Sequence, residues 1–217
     1  MAIKDFQKKS FLRSSENINA TYSFTEIVTT TGYIEAYGTK TATYSLSTFQ
    51  IYPRDYSEVG TEATGAATKV LDLDFDIIIN KPLTLLGKAV INVPMILMNS
   101  NVNNVTGHLV AKLRKYSGGV ESEIASSGNG QTVTGNNSRT QLVECLEITV
   151  PITIFKKGDY LRVTIEAWVD GHAASTVSIE ILYDPIDRRT LVPKSGGTWN
   201  ILLTTSLKAY IPVRIDF

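Results

Sequence analysis

Asp159–Asp170 (DYLRVTIEAWVD) alternates without a break. Leu161, Val163, Ile165, Ala167 and Val169 fall on one face of an extended chain, and Tyr160, Arg162, Thr164, Glu166 and Trp168 on the other. A period of two suits a strand with one buried face and does not suit a helix. Residues 141–183 read as three such strands in succession, separated only by turn chemistry. Lys69–Ile79 (KVLDLDFDIII) obeys the same rule, with Leu71, Leu73, Phe75, Ile77 and Ile79 inward and Asp72, Asp74 and Asp76 outward. A chain built this way is expected to be all-β.

The grammar recurs from Gly32 to the end. Strands are expected at 32–38, 41–52, 69–79, 85–98, 106–116, 120–125, 141–155, 159–169, 174–183 and 208–217, roughly nine to eleven in all. Segments 54–68, 126–140 and 184–207 are expected as loops from their Gly, Asn, Ser and Pro content. Pro94 predicts a bulge or an edge position and Pro151 a break or an edge, because proline cannot donate to a ladder. Two packed antiparallel sheets bury such one-sided strands most simply, and long excursions between them favour jelly-roll connection. The expected organisation is an N-terminal arm over residues 1–24 and one β-sandwich domain over 25–217. Phe6, Phe11 and Leu12 give the arm apolar anchors for docking on a neighbouring subunit.

Composition narrows the function. The chain has 21 basic and 21 acidic residues among 217, so its formal net charge is zero. A protein that lives off phosphate contacts carries a basic excess, so nucleic acid is not an expected partner. No apolar run reaches the roughly 18 residues of a membrane span, and the N-terminus lacks the apolar stretch of a secretory signal. The single cysteine, Cys145, excludes an intrachain disulfide. These features predict a soluble chain folded in a reducing compartment, with no membrane partner.

Few constellations carry chemistry. Asp72, Asp74 and Asp76 are weak metal candidates: successive side chains on one strand face stand about 7 Å apart and diverge, where a Ca²⁺ site needs convergent oxygens. They are expected to form a solvated or intersubunit polar face. His108 and His172 each follow a glycine near a strand end and are expected at the surface. No nucleophile elbow, phosphate loop or dinucleotide fingerprint is present. The expectation is a chain that is not an enzyme and uses no cofactor, with no catalytic residues to assign. Trp168, beside Tyr160 on its strand, and Trp199, beside Gly196 and Gly197, remain open to three roles: sugar stacking, subunit anchoring or internal packing.

Three phrases carry a family resemblance: NATYSFTEIVTTTGYIEAYG (19–38), ITIFKKGDYLRVTIEAWV (152–169) and the strand ending at Phe217. Together they resemble the jelly-roll structural proteins encoded among the virion genes of tailed bacteriophages. The resemblance implies a capsid decoration, head-fibre or tail-accessory protein, with a decoration or auxiliary capsid role favoured. It also implies a homo-oligomer (a trimer above other states) that docks on other virion proteins after synthesis in the host cytoplasm. The interface candidates are Phe6, Phe11, Leu12, Tyr160, Arg162, Glu166, Trp168 and Trp199. The alternative is a carbohydrate-binding module on a phage surface, with a host glycan as partner. A hydrolase would need a convergent acid or triad geometry.

Overall fold

The computed structural model describes residues 29–99, 104–136, 139–172, 176–189, 191–193, 199–201 and 204–216. Among these it is all-β, with no helix. The strands are β1 (Thr29–Lys40), β2 (Tyr44–Ser47), β3 (Ser57–Glu62), β4 (Thr68–Ile78), β5 (Leu83–Asn99), β6 (Asn104–Ser117) and β7 (Val120–Ser126). They continue as β8 (Val133–Asn136), β9 (Arg139–Phe155), β10 (Tyr160–Val169), β11 (Val177–Leu182), β12 (Leu191–Pro193), β13 (Trp199–Ile201) and β14 (Lys208–Asp216). Among the described residues β12 and β13 pair with each other and with no other strand.

The other twelve strands form one mixed sheet in the order β3-β11-β5-β14-β1-β2-β4-β10-β6-β7, with β8 beside β6 and β9 beside β5. All pairings are antiparallel except β2–β4, which meet at the single position Ser45↔Asp76. That junction rests on one residue pair among the described residues. A Cβ at Gly107 of β6 would lie 3.1 Å from Ile179 of β11, and one at Gly60 of β3 would meet the Val70 carbonyl of β4. The inward residues of the two halves therefore face one another. Phe75, Val163, Ile165, Leu109 and Leu113 come from one side, Leu85, Ile91, Met95 and Ile179 from the other, and all are fully buried. The five alternating apolar residues of β10 are all inside, as their period requires.

Several local expectations change. The segment 54–68 contains β3, a charged edge strand (SEVGTE) whose partner β11 supplies the apolar content. The segment 126–140 contains β8 and the start of β9. In 41–52 only Tyr44–Ser47 pairs as a strand, because the Ser47 hydroxyl accepts from Phe49 N–H and closes a local turn. The first strand extends to Thr29–Lys40, since neither Gly32 nor Gly38 interrupts its ladder. Pro151 sits at the register shift between β5 and β9. Pro94 is neither a bulge nor an edge. It lies in the interior of β5, opposite Val143, where the neighbour on β5's other side changes from β14 (ending at Asn92) to β11 (starting at Met95). At that seam no neighbour needs the missing N–H.

A candidate interaction face on the outer side of β4, β10 and β6

β10 is flanked by β4 and β6 over its whole length, so its outward residues meet partners on both sides. Arg162 stands opposite Asp76 and Arg114, Thr164 opposite Asp74 and Lys112, and Trp168 opposite Lys69 and His108. The strict alternation thus becomes a two-dimensional lattice of charge.

Arg162 is its hub. Nε and Nη2 donate to the two oxygens of Asp76 at 2.7 and 2.8 Å, a bidentate fork, while Nη1 reaches Asp74 at 3.0 Å and Glu121 of β7 at 3.2 Å. The hydrogen bonds to Asp76 raise the guanidinium's affinity for its proton. The Thr164 hydroxyl donates to Asp74 at 2.6 Å. Glu166 accepts from Lys112 Nζ at 2.9 Å, Trp168 Nε1 at 3.1 Å and Lys69 Nζ at 3.3 Å. Burial works to raise the Glu166 pKa, yet these three donors outweigh it and leave the carboxyl below its ordinary range. Glu166 and Thr164 are buried although they point outward, because the longer side chains around them close over the strand. The expectation of an open outer row is corrected at those two positions.

The acidic row is therefore spoken for. Asp74 and Asp76 share Arg162, and Asp72 pairs with Lys69. Among the described residues no three His, Cys, Asp or Glu side chains converge to hold a metal. Replacing Arg162 with Ala is expected to cost about 2 kcal/mol, since three half-buried carboxylates lose their common cation. Urea unfolding at low and at 0.5 M salt measures it, and the loss should shrink with salt, which screens the residual repulsion.

At one end of the lattice the charge gives way to an apolar strip. Ile78, Tyr160 and Tyr116 stand side by side across β4, β10 and β6 and are 47%, 36% and 37% exposed. The two tyrosine rings meet edge to face at 6.1 Å. Tyr160 is preceded by the turn Lys156–Asp159, built around Asp159. Its carboxylate accepts from the Ser117 hydroxyl at 2.6 Å, from Lys156 N–H at 2.8 Å and from Lys115 Nζ, and these bonds hold its pKa down at about 2. Gly158 takes φ 93°, a conformation that favours glycine.

Trp168 closes the other end. Its ring lies parallel to His108 at 6.4 Å, with Lys69 Nζ 5.9 Å from its centre. The ring is engaged within its own sheet. Trp199 falls in β13, opposite Pro193, and its side chain lies outside the described residues. Phe6, Phe11 and Leu12 lie outside them as well.

Neither histidine is a surface group. His108 is mostly buried and contacts Asp170 at 3.3 Å. The His172 side chain is fully buried with Nε2 2.9 Å from Glu62, whose carboxylate also accepts from Thr64 and from Gly65 N–H. The Thr64 hydroxyl bond, first among these, holds the Glu62 pKa down at about 2. Tertiary packing folds the 170–172 turn over the end of β3, a contact that adjacency in sequence does not reveal. The Thr64 hydroxyl bonds the carboxylate, so the pair reads as a lock between two loops.

No family model and no curated protein matches the chain by sequence. Solved structures do resemble it in fold. An α-amino acid ester hydrolase aligns at TM-score 0.51 and 11% identity, covering 83% of this chain and 36% of that one. An aminopeptidase from a marine sediment Thaumarchaeota archaeon aligns at TM-score 0.51 and 8% identity, covering 84% of this chain and 37% of that one. A CocE/NonD family hydrolase from Staphylococcus aureus aligns at TM-score 0.49 and 12% identity, over 85% and 37%. The chain thus spans little more than a third of these proteins, and at such identities the likeness is one of fold. It corrects the expectation that the chain is not an enzyme. That expectation leaned on missing motifs, and the fold is one that hydrolases carry.

Proposed function

We propose that this chain is a self-associating structural protein of a tailed-phage virion, with a decoration or auxiliary capsid role, that uses the outer face of β4, β10 and β6 as a contact surface. The observation that carries the reading is the exposed Ile78–Tyr160–Tyr116 strip beside a lattice whose charged groups pair with one another. Aromatic and aliphatic groups supply the desolvation energy of an interface, and a paired lattice at its rim avoids burying an uncompensated charge. Tyr160 of the strip directly follows Lys156–Asp159, the most family-like phrase of the sequence. We read the folded-over sheet as the two layers of a jelly-roll sandwich, hinged at β2.

Native mass spectrometry across a concentration series tests this reading. A closed oligomer is expected, a trimer above other states, and Tyr160→Asp with Tyr116→Asp should weaken it at least tenfold without unfolding the monomer. A strict monomer at the highest concentration contradicts the reading.

A second reading is a β domain that works beside a catalytic unit, favoured by the fold likeness to the two hydrolases at TM-score 0.51. It predicts turnover of simple amino-acid esters or aminoacyl anilides by the protein or by a complex isolated with it. No turnover in either preparation removes this reading.

A further inference from the structure

Among the described residues, β1 is paired by β14 over Thr29–Tyr37 but by β2 only over its last residues. The Gly38 N–H donates to Leu207 O at 2.9 Å on the β14 side, and the register continues through Ala36↔Ala209 and Ile34↔Ile211. Backbone groups alternate sides along a strand, so the even-numbered residues bond β14 and the odd-numbered ones point the other way. On that other side β2 pairs with Tyr37–Lys40 only. Among the described residues nothing pairs with Thr31, Tyr33 or Glu35 there. Pro212 stands opposite Tyr33, as it should if that position exchanges no bond with β14. Tyr33 itself is 57% exposed. Such an edge is a template for another extended segment.

The sequence preceding β1 supplies a matching segment. Thr21–Val28 (TYSFTEIV) is rich in β-branched and aromatic residues and contains no Gly, Pro, Asn or Asp. Its sequence disfavours a tight hairpin back onto its own β1. Thr29 and Thr30 already pair with Asp216 and Ile215, so a hairpin would have to turn at Ile27 and Val28. Both are β-branched, the residues least suited to the positive φ of a tight hairpin turn.

We propose that the open edge of β1 at Thr31–Glu35 accepts the Thr21–Val28 segment of a second copy by strand addition, which gives the self-association its directional contact. The inference rests on the self-association reading and names a surface other than the tyrosine strip.

Full-length Tyr33→Pro and Phe24→Pro variants test it by native mass spectrometry, with thermal unfolding as the fold control. Tyr33→Pro removes an N–H that β14 does not use, and Phe24→Pro breaks the donor segment. Each variant alone is expected to dissociate at least tenfold more readily than the unmodified chain, with a melting temperature little changed for the isolated monomer. Mixed, they should form one-to-one heterodimers, because one copy keeps an intact edge and the other an intact donor. A general loss of stability would not produce that rescue. Variants that stay oligomeric, or that fail to rescue each other, overturn strand addition while leaving self-association standing. An unmodified chain that is monomeric overturns self-association itself.

Discussion

Stability is expected to fall by about 3 kcal/mol as pH rises from 4.5 to 8, and Glu144→Gln is expected to abolish most of that fall. Glu144 lies on the inward face of β9, in line with Leu142, Leu146 and Ile148, and is 4% exposed. One oxygen accepts from the Gln131 N–H; the other, Oε2, finds no donor among the described residues. Burial pushes the carboxyl up to about 7, and the Gln131 bond opposes this only in part. The folded state therefore prefers the neutral acid, while the unfolded chain ionises at 4.5. Below 4.5 the two states hold the same proton and stability is level. Between 4.5 and about 7 unfolding releases a proton, and each pH unit costs about 1.4 kcal/mol. Above that window the loss is complete. Glu62 and Asp159 behave oppositely: their folded values near 2 add stability that is present above about 4 and is lost as pH falls toward 2. The stability profile should thus peak near pH 4.5 to 5. Urea midpoints across pH 3 to 9 measure it; parallel alkaline limbs for both proteins would assign the loss elsewhere.

Phe75→Ala is expected to cost about 4 kcal/mol and lower the melting temperature by about 10 °C. Phe75 of β4 is fully buried and meets Tyr44 at 5.3 Å and Tyr183 at 5.8 Å, both edge to face. Tyr44 and Tyr183 meet each other at 5.7 Å, and the Tyr183 hydroxyl donates to Ser57 O at 3.0 Å. The three rings tie β2 and β4 to the end of β11, across the narrow β2–β4 junction. Truncation loses the transfer energy of the ring, opens a cavity and removes two aromatic contacts. Phe75→Leu fills most of the volume and should cost about 1 kcal/mol. Calorimetric or urea unfolding decides; a cost below about 1 kcal/mol for the alanine variant would mean that the halves are held together elsewhere.

Much of the scaffold was legible from residues alone where a period of two is unbroken. The inward residues of β4 and β10 follow their alternation, and Asp72, Asp74 and Asp76 lie on the outer face, while Thr164 and Glu166 of β10 are buried on theirs. The misses have one cause. β3 and β8 carry too little apolar content to announce themselves and exist because β11 and β6 offer them edges. Thr41–Tyr52 has the composition of a strand, yet most of it finds no ladder to join.

The candidate face divides the same way. Sequence placed Tyr160, Arg162, Glu166 and Trp168 together on one side of β10. It could not say that Arg162 would gather three carboxylates from β4 and β7, or that His108 and Lys69 would engage Trp168.

Local pattern determined that this chain is all-β and which side of each clear strand faces inward, because side-chain direction along a strand follows from backbone geometry alone. Tertiary structure decided which strands are neighbours, that Glu144 and the His172 side chain are buried, and that among the described residues β2 covers only the last part of one edge of β1. Those outcomes depend on pairings between residues far apart in the chain, which no local period records.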